Sequence, residues 1–117
     1  MNLRQFQRIN RERSNRWMNS PNTPLMYFSN AMAGETGEVC NAVKKLERVH
    51  HALPNKEAGV DKHDIPMLEQ KVANECADAI IYALIILDQL SFDASAVIAD
   101  VFDKKSIEYG FPERAPR

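Results

Sequence analysis

Residues 23–49 read TPLMYFSNAMAGETGEVCNAVKKLERV, and this stretch decides the fold. Thr23 and Pro24 provide a capping hydroxyl and a proline in the first turn, so we expect a helix from Pro24 to about Val49. The apolar residues that recur at helical spacing along it are Leu25, Phe28, Met32, Val39, Val43 and Leu46. Glu35 falls within this series, where a charged side chain is costly to bury unless something compensates it.

Three further helices are predicted, with no convincing strand between them. Asp64 is a cap signal for a helix that follows the polar segment 50–65, which we interpret as a loop. The three helices are expected from about Leu3 to Met18, from Ile65 to about Leu90, and from the start signals at Ser91 and Asp93 to about Gly110. Together the pattern predicts an all-α protein, an antiparallel bundle of about four helices forming a single domain over residues 1–117.

The second half of the third helix is apolar on nearly every face from Ala77 to Leu87, except at Asp78. A helix of this kind lies in the centre of a bundle or at a subunit interface. A chain of 117 residues also buries a limited core. We therefore expect a homodimer or a homotetramer with the active site near the subunit interface.

Composition narrows the class of protein. Hydrophobic residues make up 44% and charged residues 26%, which is ordinary for a globular protein, and the net charge of -1 argues against nucleic-acid binding. Cys40 and Cys76 are expected to be buried, reduced thiols in a cytosolic setting. The polar start of the chain and the absence of a long apolar run predict a cytoplasmic protein with no membrane partner.

Two acid pairs carry the functional hypothesis. Glu35 and Glu38 are three residues apart on the second predicted helix, and Glu75 and Asp78 have the same spacing on the third. Both pairs lie on the side that should face the core, where four carboxylates would repel one another without a cation. Because hard divalent cations prefer oxygen ligands, the sequence predicts a magnesium site, with Mn²⁺ as a substitute. The alternative for either pair alone is a solvated or Lys- and Arg-paired face.

A di-iron carboxylate bundle is a competing interpretation. That class requires a Glu-x-x-His step on two helices, whereas the third residue after Glu35 and after Glu75 is another acid. The three histidines all lie in the predicted loop and are expected to be exposed rather than metal ligands; they are His50, His51 and His63.

Basic residues follow the first acid pair. Asn41, Lys45 and Arg48 continue from Glu38 at steps of three, four and three residues, and Lys44 lies beside them. A metal-binding end followed by a cationic end suits a polyphosphate, whose charge must be neutralised along its length. The alternative is a basic helix C-terminus that is favoured by the helix dipole.

The string Ala33-Gly34-Glu35-Thr36-Gly37-Glu38, with Asn41 and Lys44-Lys45 behind it, resembles the MazG-like all-alpha nucleoside triphosphate pyrophosphatases. Glu75-Cys76-Ala77-Asp78 resembles the second half of that family's signature, Glu-x-x-Glu on one helix and Glu-x-x-Asp on the next. The resemblance covers about residues 24–113. It implies magnesium-dependent hydrolysis of a nucleoside triphosphate substrate to a nucleoside monophosphate and pyrophosphate.

The chemistry of such a reaction suggests roles for individual residues. All four acids would hold magnesium, and Glu38 would in addition orient or deprotonate the attacking water. Lys45 and Arg48, with Lys44 or Lys104 as substitutes, would stabilise charge on the leaving pyrophosphate. Candidates for nucleoside recognition include Trp17, at the end of a polar helix, and Asn30, two helical turns before Glu38.

Two other classes of function remain open from the sequence. The first is a regulatory helical bundle that binds a nucleotide or a metal without catalysis. The second is a structural interaction module whose stability and ligand binding do not respond to magnesium.

Overall fold

The computed structural model describes residues 1–51 and 64–117. Within these residues the chain is entirely helical, with no strand, and the all-α prediction is confirmed for them. The helices are α1 (Leu3–Met18), α2 (Leu25–His50), α3 (Ile65–Gln89) and α4 (Ala94–Tyr109), with a short 3-10 turn at Ser20–Asn22. The predicted loop falls mainly on residues 52–63, outside the described residues.

Local capping residues set several helix ends. The side chain of Asn2 accepts a hydrogen bond from the Gln5 backbone N–H at 3.1 Å and starts α1. Asn19 ends the same helix in the left-handed conformation, at φ 49. Asp93 starts α4, because its Oδ1 accepts from the Ser95 backbone N–H at 2.9 Å.

Gly110 ends α4 at φ 74, a backbone conformation that strains most other residues. Phe111 then donates its backbone N–H to the Ser106 carbonyl at 2.8 Å, so a carbonyl in the last turn of the helix also accepts a bond from beyond the helix end.

The chain forms two compact units. Unit 1 comprises Met1–Tyr27 and Ala83–Arg117, and unit 2 comprises Phe28–Tyr82. Helices α2 and α3 each contribute residues to both units. All four acids of the two pairs belong to unit 2.

In unit 1, the buried side of α1 is polar. Gln7, Asn10 and Ser14 are buried at helical spacing, whereas Ile9 is 48% exposed and Trp17 is 65% exposed. A buried amide normally forms hydrogen bonds, and both the nitrogen and the oxygen of the Gln7 amide do so.

The Gln7 amide holds the turn between α3 and α4. Its Nε2 donates to the Phe92 carbonyl at 2.8 Å, and its Oε1 accepts from the Ala94 backbone N–H at 2.9 Å. Outside this contact, Arg4 Nε lies 2.6 Å from Asp93 Oδ2 and Arg11 lies 3.1 Å from Asp88. Side chains of α1 therefore fix the start of α4.

Helix α4 buries its small residues and exposes apolar ones. Ala94, Ala99 and Ser106 are buried. Four of its exposed residues form an exposed apolar face, which consists of Ile98, Val101, Phe102 and Tyr109.

In unit 2, the buried side of α2 follows the predicted periodicity only in part. Phe28 is fully buried, Ala42 and Val49 are also buried, and Met32, Val39 and Leu46 are partly buried. Two members of the predicted apolar series are exposed instead: Val43 at 37% and, in unit 1, Leu25 at 38%. Val43 is rotated by about 100° from the buried Ala42, which takes its place in the core-facing line.

The prediction that both cysteines are buried was wrong. Cys40 and Cys76 are both exposed on the single chain. Each follows a core-facing residue by one position, Val39 and Glu75 respectively, and one helical step of about 100° turns it toward solvent.

The apolar second half of α3 is not enclosed by the single chain. Leu84 and Ile85 are buried, but Ile80 is 58% exposed. Among the described residues no single helix has the length and apolar composition to span a membrane, although α3 and α4 taken together as a bent pair meet that test.

Candidate metal centre

Unit 2 brings the two acid pairs together through two antiparallel helix segments. Glu35 of α2 lies with Glu75 and Asp78 of α3. Further along α2, Lys45 shares a cavity wall with Lys71, which precedes Glu75 on α3. Because residue numbers rise along α2 as they fall along α3, the two helices run in opposite directions here.

Three carboxylates form the centre of the site. One oxygen from each of Glu35, Glu75 and Asp78 lies within 4.8 Å of the other two. Glu75 is 7% exposed and Glu35 is partly buried, whereas Asp78 is exposed. The centre is therefore closed on the Glu75 side and open to solvent at Asp78.

The crowding changes the protonation of Glu35. Burial raises the pKa of the Glu35 carboxyl most, followed by its hydrogen bond to Glu75 and by the charges of Asp78, Glu75 and Glu38. A proton on Glu35 therefore relieves part of the repulsion when no cation is present.

Lys71 relieves another part of it. Its Nζ lies 2.7 Å from Glu75 Oε1, and this hydrogen bond is the main reason why the pKa of Glu75 lies below its usual value. The same contact raises the pKa of Lys71. The pKa values of Glu35 and Glu75 thus shift in opposite directions, because burial and neighbouring acids dominate at Glu35 and the Lys71 cation dominates at Glu75.

Glu38 stands at the edge of the centre. Its carboxylate is exposed and is not one of the three that lie within 4.8 Å of one another. Its charge nevertheless contributes to the raised pKa of Glu35. Glu38 also lines the neighbouring cavity, so it lies between the three carboxylates and that cavity.

The neighbouring cavity has a volume of about 260 Å³ and contains part of the predicted basic line. Its lining residues are Glu38, Asn41, Ala42, Lys45, Met67, Leu68 and Lys71. Of the residues predicted to bind phosphate, Asn41 and Lys45 are in this cavity wall. Arg48 is partly buried on α2, and Lys44 is exposed, but neither lines the cavity.

The remaining predicted substrate residues are not among those that line the cavity. Asn30 is exposed on the part of α2 that belongs to unit 2. Trp17 and Lys104 are exposed on α1 and α4, both in unit 1.

The histidines that fall within the described residues do not join the three carboxylates. His50 ends α2 and is exposed, and His51 Nε2 lies 2.8 Å from Glu47. His63 lies outside the described residues.

The donor set fits magnesium by its chemistry. Every candidate ligand atom in the cluster is a carboxylate oxygen, the ligand type preferred by Mg²⁺ and Mn²⁺. Burial is the main cause of the raised pKa of Glu35, but the charges of Asp78, Glu75 and Glu38 add to it, and this added part supports the fit. Di-iron carboxylate centres use histidine as well, and none of the described histidines belongs to the cluster of three carboxylates.

Sequence reasoning missed Lys71. It precedes Glu75 by four residues on a predicted helix, and an acid and a base at that spacing commonly pair. That spacing was the available signal for a cation beside the acid pairs.

A larger cavity, of about 540 Å³, lies in unit 1 and has a different character. Arg4, Arg8 and Arg11 line it together with Asp88 and Asp93. Because Arg4 and Arg11 are paired with those two acids, we interpret this cavity as a set of contacts that stabilises unit 1.

No protein-family model, curated protein or solved structure matches this chain.

Proposed function

We propose that this protein is a magnesium-dependent nucleoside triphosphate pyrophosphatase. The observation that carries the proposal is the convergence of Glu35, Glu75 and Asp78, which come from two acid pairs on antiparallel helices. A cavity with lysines in its wall lies directly beside them. Carboxylates next to cations suit a substrate whose phosphates must be both coordinated and neutralised.

Glu35, Glu75 and Asp78 would hold the ion, with Glu38 completing the set from the edge of the centre. When bound, magnesium would supply charge neutralisation for the phosphates and activation of water; Mn²⁺ would substitute for it. Asp78 is the exposed member of the three, so the centre is approached from its side.

Glu38 is the residue we assign to the water. Its carboxylate is exposed and borders both the acidic centre and the cavity, whereas the carboxylate of Glu75 is paired with Lys71. It would accept a proton as the water oxygen bonds to the α-phosphorus. The bond from that phosphorus to the bridging oxygen breaks, and pyrophosphate leaves with the bonding electron pair.

Lys45 and Asn41 would bind the leaving pyrophosphate in the cavity. Arg48, the next basic residue along the same line of α2, would extend the cationic surface, with Lys44 as a substitute. Asn30 is our candidate in unit 2 for a contact to the nucleoside.

The test is a panel of ribo- and deoxyribonucleoside triphosphates, incubated with and without magnesium and analysed for products. We expect monophosphate and pyrophosphate only when magnesium is present. Glu38→Gln should lower kcat by at least about 100-fold while the protein stays folded, because the carboxylate that accepts the proton is lost. Glu47→Gln is the matched control, since Glu47 is an exposed glutamate of the same helix.

The outcomes separate the classes of function. Full activity of Glu38→Gln would remove the role assigned to that residue. A triphosphate that binds with magnesium and stays intact would identify a regulatory binding protein. If magnesium changed neither thermal stability nor nucleotide binding, an interaction module would be the better description.

A further inference from the structure

Lys71 contacts both parts of the candidate site. Its ammonium lies 2.7 Å from Glu75 Oε1 in the acidic centre. The same residue lines the cavity that contains Lys45. Its side chain is 60% exposed, so it is able to move between partners, whereas the Glu75 side chain is 9% exposed and fixed.

A divalent cation and the Lys71 ammonium would compete for the same carboxylate. The ammonium carries one charge and pairs with one carboxylate oxygen, whereas a divalent cation carries two charges and would contact several carboxylates at once. An ion pair with one partner largely in solvent stabilises a protein little, so it costs little to break. The cation should therefore displace the ammonium.

The displaced ammonium would have a second place to go. Lys45 already contributes a cation to the cavity wall, and Lys71 released from Glu75 would contribute another. Two cations beside one small cavity suit an anion with several negative charges, such as a diphosphate.

We propose that Lys71 is an exchangeable counter-cation, which neutralises Glu75 in the cation-free protein and, once a divalent cation displaces it, binds phosphate in the adjacent cavity together with Lys45. This inference rests on the proposed metal centre. It links the two ligands thermodynamically: bound cation frees Lys71 for phosphate, and bound phosphate removes the competitor of the cation.

The experiment measures two probes separately. Mn²⁺ alone is titrated by electron paramagnetic resonance, and inorganic pyrophosphate is titrated by calorimetry in the presence of excess magnesium. Lys71→Met keeps the apolar stem and removes the charge. Lys105→Met is the matched control, because Lys105 is 61% exposed and pairs with Glu108 at 3.2 Å on a helix of unit 1.

We expect Lys71→Met to bind Mn²⁺ about two- to fivefold more tightly than the unaltered protein, because the competing ammonium is gone. The same variant should bind pyrophosphate several-fold more weakly. Lys71→Arg, which keeps the charge, should retain pyrophosphate binding, and Lys105→Met should change neither affinity.

Each result decides one part of the proposal. If Mn²⁺ affinity is unchanged or lower in Lys71→Met, while Glu75→Gln still weakens it, Lys71 does not compete and the metal centre stands. If Glu75→Gln leaves Mn²⁺ binding unaltered, the metal centre itself is wrong. Tighter Mn²⁺ binding with unchanged pyrophosphate affinity would overturn the role of Lys71 as a phosphate ligand.

Discussion

Glu35 carries an electrostatic cost that a single substitution can remove. Its raised pKa means that the folded protein holds the proton more tightly than the unfolded chain does. The ionised carboxyl therefore destabilises the fold at neutral pH, and this cost disappears as pH falls below the ordinary pKa of a glutamate.

We predict that Glu35→Gln is more stable than the unaltered protein near neutral pH when no divalent cation is present. The amide has no charge to bury and still offers an N–H to Glu75. The gain should shrink toward about pH 4, where the unfolded chain also holds a proton on the carboxyl. Thermal denaturation across this pH range, in a chelator, measures it.

Magnesium should reverse the order of thermal stability between Glu35→Gln and the unaltered protein. On the proposed metal centre, the unaltered protein should gain thermal stability from the ion, and Glu35→Gln, which would lack one ligand, should gain less. Glu69→Gln serves as the control because Glu69 is an exposed glutamate of α3. A cation-free Glu35→Gln protein that melts below the unaltered one at neutral pH would contradict the prediction.

At the residue level, the sequence indicated Glu35 because a charge interrupts an apolar series, which is a local signal. The sequence wrongly predicted that Cys40 and Val43 are buried. Each is rotated by about 100° from a core-facing neighbour, and apolar character alone does not show which of two neighbouring residues is buried. The pairing of Lys71 with Glu75 was readable from spacing. Its position in the cavity wall was not, because that depends on where α2 lies.

At the level of the elements, helix ends were the most predictable features. Helix α4 begins after Asp93 and ends at Gly110, through hydrogen bonds and backbone angles that involve only neighbouring residues. The polar buried side of α1 was not predictable from periodicity, because Gln7 is buried where it hydrogen-bonds the backbone of a turn 85 residues later. Apolar patterning identifies faces that pack on side chains, not faces that bind backbone.

Helix α2 contains two glycines, and no contact described within the single chain requires glycine at either position. Apart from its chain neighbours and the backbone of its own helix, a Cβ placed on Gly34 or on Gly37 would have no atom of the described residues within 4 Å, and neither glycine has a positive φ. We predict that Gly37→Ala stabilises the isolated chain by about 0.5–1 kcal/mol, because glycine loses more backbone entropy in a helix than alanine does. Urea denaturation gives the change in free energy of unfolding.

Gly34→Ala is the parallel variant and should gain a similar amount. Ala33 is exposed in the same turn, so this part of the helix already contains an alanine. A loss of stability in Gly37→Ala under conditions where the protein self-associates would locate a contact from another chain at this position.

At the level of the whole molecule, the exposed apolar face of α4 supports self-association. Ile98, Val101 and Phe102 are 51%, 58% and 47% exposed and share one side of the helix with Tyr109. Single-chain proteins rarely expose a contiguous apolar surface of more than a few hundred Å². We predict a homodimer or homotetramer at micromolar concentration, which sedimentation velocity would detect.

Phe102→Glu should shift the protein toward the monomer by placing a charge in that face. Ile9→Glu is the matched control, because Ile9 has nearly the same exposure, 48%, on α1. Sedimentation of the unaltered protein as a monomer would contradict the prediction. Equal dissociation by both substitutions would place the interface elsewhere.

The bonds from Gln7 to Phe92 and Ala94 also govern how unit 1 is made during translation. They join groups separated by 85 and 87 positions, so α1 leaves the ribosome long before its partners exist. At ordinary elongation rates that delay is roughly 4 to 17 s, far longer than a helix needs to form. The docking of α1 therefore waits until residues 92–94 have been made, and a nascent chain stalled before Phe92 should expose α1 to added protease.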